Sequence, residues 1–360
     1  MFGVYVHVPY CKTLCPYCDF VKVRDTQGVP DAFVVALCKE IAEFNGPADA
    51  QSVFFGGGTP SRFSAAQLLH VCNALRARFH FDPDAEWTLE ANPDDLTPDL
   101  LAAIRDAGLN RLSLGVQSFD DRVLKFLGRR HKSAPALAAC EMVAERFDNW
   151  SLDLMFGAPP LDAWADTLQR AVSLAPPHIS SYGLTYEEGT PFEKRADRAT
   201  PEDQMLEMYQ QMEAALAHFD HYEISNFAQP GRQATHNLVY WQNESYAGFG
   251  AGAVSYVGGL RARNHASIER YLADPGGKDE TFIISPREER VETIIQHMRL
   301  QAGLPRERYA TRFGADVMQE FGPELARLEQ RGLLTISDSL IQPTPQGFYL
   351  NNEIGLELVE

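Results

Sequence analysis

Short apolar or β-branched runs recur along the first two-thirds of the chain, each followed by apolar residues at helical spacing. The runs at 4–8 (VYVHV), 52–55 (SVFF), 87–90 (WTLE), 111–116 (RLSLGV), 150–156 (WSLDLMF) and 178–184 (HISSYGL) predict strands, with 222–227 (YEISNF) as a further one. Between them lie amphipathic stretches. Phe33, Val34, Leu37, Ile41 and Phe44 form one face of a helix that Asp31 is placed to cap. Met205, Tyr209, Met212, Leu216 and Phe219 repeat every three or four residues on a later one, a stripe that reads as core packing. Alternating β and α units, with strands that read as buried and non-alternating, predict a parallel sheet with helices outside it. A doubly wound sheet or a partial (βα)6 barrel satisfies this pattern. GGGTP (56–60), EANP (90–93), QS (117–118) and GAPP (157–160) stand at or just after strand ends. In a barrel that is the C-terminal rim, where the connecting loops build the site.

The pattern changes after about residue 228. The stretch 236–259 is rich in aromatic residues and glycine and reads as loop and short strand, and 274–280 (DPGGKDE) reads as a linker. From 286 a helical pattern with Val291, Ile294, Ile295 and Met298 begins, followed by PELARLEQRGLL (323–334) and a strand-like LIQPTPQG (340–347). The expected organisation is α/β: a barrel over 1–228, a connecting segment over 229–280, and a smaller helical, winged-helix-like domain over 281–360.

Length and composition narrow the function. With 360 residues and 45% hydrophobic content the chain can bury a large core. Its net charge of −17 and pI near 5.0 argue against nucleic acid as a partner, and the winged-helix-like part carries no arginine- or lysine-studded helix. No run of about 18 apolar residues predicts a membrane span, and the opening MFGVYVHV shows no export signal. A cytoplasmic setting is expected, with peripheral membrane contact left open.

The densest chemistry is HVPYCKTLCPYCDF (7–20), which places Cys11, Cys15 and Cys18 within eight positions. The other cysteines, Cys38, Cys72 and Cys140, stand apart inside helical patterns. A structural zinc site wants four ligands, and a disulfide would strand one thiol. Three thiolates on one loop suit a [4Fe–4S] cube with one iron open to a further ligand. Zinc and a redox dithiol remain alternatives on the residues alone.

Tyr5-x-His7-x-Pro9 before Cys11-x3-Cys15-x2-Cys18 resembles the radical S-adenosylmethionine (SAM) superfamily, and within it the branch of the oxygen-independent coproporphyrinogen III dehydrogenase. GGGTP (56–60), EANPDD (90–95), LSLGVQSFDDRVLKFLGRRH (112–131), SLDLMFG (151–157) and YEISNFA (222–228) carry the likeness along most of the chain. The resemblance implies a [4Fe–4S] cluster on the three loop cysteines and SAM on its open iron. It implies that Tyr5, Gly57 and Glu90 contact a first SAM, and that Gly58, Thr59, Gln117, Arg129 and Asp153 match positions for a second. Tyr17, between two cluster cysteines, is then an aromatic lid.

Two departures redirect the function. The dehydrogenase pattern carries a further cysteine two positions after the third, where this chain has Phe20, and an extension ahead of the cluster strand, whereas Tyr5 stands near residue 1 here. HNLVYW (236–241) instead resembles the HNxxYW pattern of the haem chaperone (HemW-type) group, whose members bind haem and deliver it to acceptor haem proteins. By that resemblance His236 would offer an imidazole to haem iron, Asn237 would orient it, and Tyr240 and Trp241 would offer flat apolar surface. The alternative for the same residues is a hydrogen-bonded histidine with two packing aromatics. The expected function is haem binding and transfer without coproporphyrinogen dehydrogenase activity. The dehydrogenase itself, or a radical-SAM enzyme with an unrelated substrate, are the alternatives. Whether SAM is cleaved, which haem proteins accept (membrane respiratory enzymes among the candidates) and whether the chain forms a homodimer are left open.

Overall fold

A computed structural model of the protein describes residues 1–359. The chain alternates strand and helix from its start. These elements are β1 (Phe2–Val8), α1 (Asp31–Glu43), β2 (Asp49–Gly57), α2 (Ala65–Arg78), β3 (His80–Ala91), α3 (Pro98–Asp106), β4 (Arg111–Gln117), α4 (Asp121–Phe126), α5 (Ser133–Ala144), β5 (Trp150–Phe156), α6 (Trp164–Ser173) and β6 (His178–Gly183). β1 through β6 pair in sequence, each parallel to the next. This is the expected partial (βα)6 barrel.

Both rims of the sheet are extended. After α7 (Glu202–Ala215), the predicted strand at 222–227 is a hairpin, β7 (Asp220–Glu223) and β8 (Asn226–Ala228), with β8 antiparallel to β6. Next comes α8 (Thr235–Trp241), then β9 (Ser245–Phe249), β10 (Val254–Val257), β11 (Leu260–Asn264), α9 (Ile268–Ala273) and β12 (Lys278–Ile283). β9 joins the open side of β1 in parallel, and β10 to β12 follow it antiparallel, giving the order β12-β11-β10-β9-β1-β2-β3-β4-β5-β6-β8-β7. Sequence reading of 229–280 as loop, short strand and linker is therefore replaced by two helices, α8 and α9, and four strands of the main sheet.

The barrel strands depart from expectation in a second respect. Both faces are buried, yet polarity alternates. Val53, Phe55, Trp87, Leu89, Leu112, Leu114, Leu152, Leu154 and Ile179 face the helices and form the core. Ser52, Glu86, Glu90, Arg111, Ser113, Ser151, Asp153, His178 and Ser180 occupy the alternate positions, on the interior face. The barrel interior is thus polar, where a closed barrel is ordinarily packed by branched apolar side chains.

Asp31 does not cap α1. The N-cap is Pro30, which offers no side-chain acceptor, and Asp31 instead accepts from Gln67 Nε2 at 2.6 Å. The C-terminal part has its own core of Val291, Ile294, Met298, Leu325, Leu328 and Ile341. It holds α10 (Pro286–His297), β13 (Leu304–Pro305), α11 (Arg306–Phe313), α12 (Val317–Gln330), β14 (Leu334–Ile336), β15 (Leu340–Pro343), α13 (Pro345–Tyr349) and α14 (Asn351–Val359). β13, β15 and β14 form a small antiparallel sheet. Among the described residues no helix is long and apolar enough to cross a membrane.

Candidate functional site

The cysteine loop leaves β1 at the barrel's C-terminal rim. Its base is pinned where Tyr10–Cys11 pairs in parallel with Val23–Arg24 and the Val23 and Asp25 amides donate to the Pro9 and Cys11 carbonyls at 2.7 and 2.8 Å. His7 adds a third tie. Its Nε2–H donates to the Val21 carbonyl at 2.7 Å, which leaves Nδ1 to accept from the Tyr5 hydroxyl at 3.0 Å. Burial keeps His7 neutral by lowering its pKa. The Tyr-x-His-x-Pro spacing therefore positions the cysteine loop, and Tyr5 acts here through His7 and not as a lining residue of the cavity.

Gly56-Gly57-Gly58 closes against this loop. The Gly58 amide donates to the Val8 carbonyl at 2.8 Å, and a Cβ on Gly58 would stand 2.7 Å from the Val8 oxygen and 3.0 Å from Cys11 Sγ. Gly57 has φ +103°, in the left-handed region, and a Cβ there would meet the His7 ring at 2.5 Å. Backbone and thiol approach each other as closely as they do only because these side chains are missing.

A cavity of about 340 Å³ opens between loop and barrel, within the range of ligand sites. Cys11, Cys15 and Cys18 line it together with Tyr17, Gly57, Gly58, Thr59, Glu90, Gln117, Arg129 and Asp153. Residues as distant in sequence as Cys11 and Asp153 thus share one wall. Thr59 Oγ1 donates to Cys11 Sγ at 3.5 Å, and Arg129 Nη1 to Cys15 Sγ at 3.7 Å. Arg129 is itself fixed by bonds to the Asn92 side-chain oxygen at 2.5 Å and the Gly115 carbonyl at 2.7 Å. Burial pushes the Cys11 and Cys18 thiols up, so a positive centre is needed to hold them as thiolates. Among the described residues no three His, Cys, Asp or Glu side chains converge on a single-ion site. A cube, in which each thiolate takes a different iron, requires no such convergence. The residues fit that group: three thiols on one loop, a hydroxyl and a guanidinium donating to sulfur, and a glycine backbone beside them.

Two carboxylic acids stand below. Burial raises Glu90 to about 8, and the negative charge of Asp153 adds to the effect. Asp153 accepts from Ser113 at 2.8 Å and from Ser151 at 3.1 Å; burial still raises it. From there hydrogen bonds run Ser151 Oγ to His178 Nδ1 at 2.8 Å and His178 Nε2 to the Tyr222 hydroxyl at 3.0 Å.

The HNLVYW residues lie on the barrel floor, not at the rim. They form α8, whose first N–H groups, Thr235 and His236, donate to the Glu86 carboxylate at 3.1 Å each. His236 is 1% exposed and both ring nitrogens are engaged, Nδ1 with Ser52 Oγ and Nε2 with the Tyr240 hydroxyl, each at 2.9 Å. Its ring stacks on Phe54 at 5.3 Å, and burial lowers its pKa to about 3. Asn237 makes no hydrogen bond to His236; it faces the cavity. Trp241 packs under Arg299 at 4.3 Å, and Asn243, in the left-handed region at φ 51°, ends the helix and bonds Thr293 at 2.9 Å. Of the four haem candidates, the structure brings Asn237 alone to the cavity. Missing from the sequence reading were Arg111, Ser113, Ser180 and Tyr182, which also line it; the period-2 polarity within RLSLGV was the signal for the first two, and the alternate positions Ser180 and Tyr182 of HISSYGL for the others.

Residues 5–171 match the family model described as Radical SAM superfamily, and 284–350 that described as HemN C-terminal domain. The chain is 37% identical over 371 residues to the heme chaperone HemW of Bacillus subtilis, covering 98% of each, and 33% identical to that of Escherichia coli, covering 99% and 98%. The solved radical SAM enzyme coproporphyrinogen III oxidase (HemN) of Escherichia coli superposes with a TM-score of 0.85 at 23% identity over 99% of this chain and 89% of that one, a likeness of fold. The chain belongs to the radical SAM superfamily and, within it, to the family of the HemW heme chaperones.

Proposed function

We propose that the protein binds haem and transfers it to acceptor haem proteins, carrying a [4Fe–4S] cluster on Cys11, Cys15 and Cys18 with SAM at its open iron. The end-to-end similarity to the HemW relatives, 37% over 98% of both chains, carries the reading. When bound, the cluster supplies an open iron and an electron. The chain's own residues do the rest. Thr59 and Arg129 direct donors at thiolate sulfur, and the side-chain-free Gly57 and Gly58 let backbone approach the methionine end of SAM. Glu90 presents a carboxyl to the same place, Gln117 and Asp153 line the wall beyond, and Tyr17, packed on Phe192 at 6.3 Å, covers the entrance.

His236 as the axial haem ligand requires Nε2 to exchange its bond to Tyr240 for iron, so α8 must shift on the barrel floor for ligation to occur. The same reading extends to membrane respiratory enzymes as acceptors, a homodimer and a cytoplasmic location. Exposed Leu14 and Phe20 on the cysteine loop support docking of an acceptor, and the exposed edge strand β12 supports self-association. Free thiols and an oxygen-sensitive cluster support a reducing compartment. The deciding experiment mixes haem-loaded protein with an apo-acceptor and follows the acceptor's absorbance. Transfer is expected, with no turnover of coproporphyrinogen III in the presence of SAM and a reductant. Formation of protoporphyrinogen IX by the wild-type protein would replace this reading with the decarboxylase.

A further inference from the structure

Arg111 opens β4 on the interior face and is 2% exposed. Its guanidinium carries five donors, yet it donates no hydrogen bond among the described residues, and its Nε is enclosed without a partner. The nearest carboxylate is Glu86, whose Oε2 lies 3.8 Å from Nε, beyond hydrogen-bond reach. Both Glu86 oxygens are already taken by the first amides of α8. Asp153 is likewise engaged, by Ser113 and Ser151. Glu86 balances the charge from a distance, but donors that have left water without gaining an acceptor are costly. Yet Arg111 borders the cavity that the cluster cysteines cap.

The missing partner must be an anion that arrives with a ligand. A charge-assisted acceptor satisfies the free donors of a buried guanidinium better than a neutral one, and a cation would be repelled. A dianionic phosphate would have to sit among Glu90 and Asp153, which share the cavity. A carboxylate meets the guanidinium fork with two parallel bonds and carries a single charge. We propose that Arg111 is a carboxylate-binding residue on the cavity floor, anchoring the acid end of an organic ligand that enters from the rim.

A SAM whose own carboxylate lies on the cluster cannot also reach the floor. Two sources of the carboxylate remain: the amino-acid end of a second SAM, or a propionate of haem. The haem arm rests on the function proposed above; the SAM arm does not. The test compares cluster-loaded wild type with Arg111→Met and Arg111→Lys. Haem and haem dimethyl ester, which lacks free propionates, are titrated by absorbance, and SAM by equilibrium dialysis. If the carboxylate is a propionate, Arg111→Met weakens haem at least tenfold and leaves the ester unchanged, with Arg111→Lys between. If it belongs to SAM, the variant loses a bound SAM and haem is untouched. Wild type that binds no haem defeats the chaperone reading and leaves the SAM arm to decide Arg111. Unchanged binding of both ligands overturns the proposal. A second measurement separates a structural role: removing a guanidinium that donates no hydrogen bond should change the ligand-free melting temperature little, because Glu86 keeps its bonds from both α8 amides. A lowered melting temperature with unaltered binding would make Arg111 the structural partner of Glu86 and also overturn the proposal.

Discussion

Replacing His236 with alanine should destabilise the barrel before it reports on haem. The ring holds two hydrogen bonds at 2.9 Å, to Ser52 and Tyr240. Each nets about 1 kcal/mol, and Ser52, fully buried, would be left without a partner at a further cost of about 1 kcal/mol or more. Loss of stacking on Phe54 and on Tyr5, at 5.3 and 6.5 Å, adds about 0.5 kcal/mol or more. The sum is about 3–4 kcal/mol. For a 360-residue chain that melts as one unit, an unfolding entropy of about 2 cal/mol/K per residue converts this into a fall of about 4–5 °C in Tm. Calorimetry on anaerobically purified protein, with iron content measured in parallel, provides the assay. His236→Gln, which keeps a donor and an acceptor, should recover part of the loss. A Tm within 1 °C of wild type, together with lost haem binding, would refute the placement of His236 in the floor and make it a free ligand.

Changing Cys11, Cys15 or Cys18 to Ser should abolish the cluster's visible absorbance after anaerobic reconstitution, whereas Cys38, Cys72 and Cys140 on α1, α2 and α5 should be dispensable; a full four-iron complement in the triple loop variant would contradict the assignment. Gly58→Ala puts a methyl 2.7 Å from the Val8 oxygen and 3.0 Å from Cys11 Sγ. It should cost about 1–3 kcal/mol and lower iron content, because backbone on both sides must yield; unchanged iron and Tm would contradict the close approach. Acid should unfold the protein early. His131 and His297 titrate near 4 and His236 near 3 when folded, all lowered by burial from about 6.5. The unfolded chain therefore binds more protons between those values, and stability present above pH 6.5 is lost as pH falls toward 4 and 3. Glu90, raised to about 8, acts oppositely and loses stability as pH climbs from 4.5 to 8. A melting temperature flat from pH 6.5 to 4.5 would contradict the buried neutral histidines.

The barrel was legible because its signals are local. Each of the first six strand runs ends in glycine, proline or a polar group at the rim, and each is followed by a helical face such as Phe33, Val34, Leu37 and Ile41, all buried as expected. The cysteine loop was legible because its ligands lie on one short segment. What failed was nonlocal. α8 has no capping side chain of its own, since its N-cap is Ala234; the cap is Glu86, 149 residues from Thr235. A helix whose start signal sits on a distant strand looks like loop in sequence. The hairpin at 220–228 was read as one strand because Ile224 and Ser225, the turn residues, carry no glycine or proline.

The misreading of strand polarity has the larger consequence. A barrel filled by apolar layers holds itself together from within; this one gives its interior to Glu90, Asp153, Arg111 and the serines between them. Its stability must then come from the outer core against the helices and from closing the floor, and α8 does the second. There a neutral imidazole packed against the rings of Tyr5 and Phe54 joins Ser52 of β2 to Tyr240 of the floor helix, while Trp241 and Asn243 tie that helix to the C-terminal part. A haem site and a barrel floor ask for the same residue types, an uncharged histidine among flat aromatic rings. The motif HNLVYW therefore could not be assigned by composition alone. The two demands differ in whether Nε2 is free, and in the folded chain Tyr240 holds it. Haem ligation by His236 and an intact floor are alternatives for one nitrogen, so haem bound through it should weaken the attachment of α8 and of the C-terminal part that α8 carries. Faster amide exchange in 235–241 and in α10 on adding haem would show that coupling, and unchanged exchange with haem bound would place the ligand elsewhere.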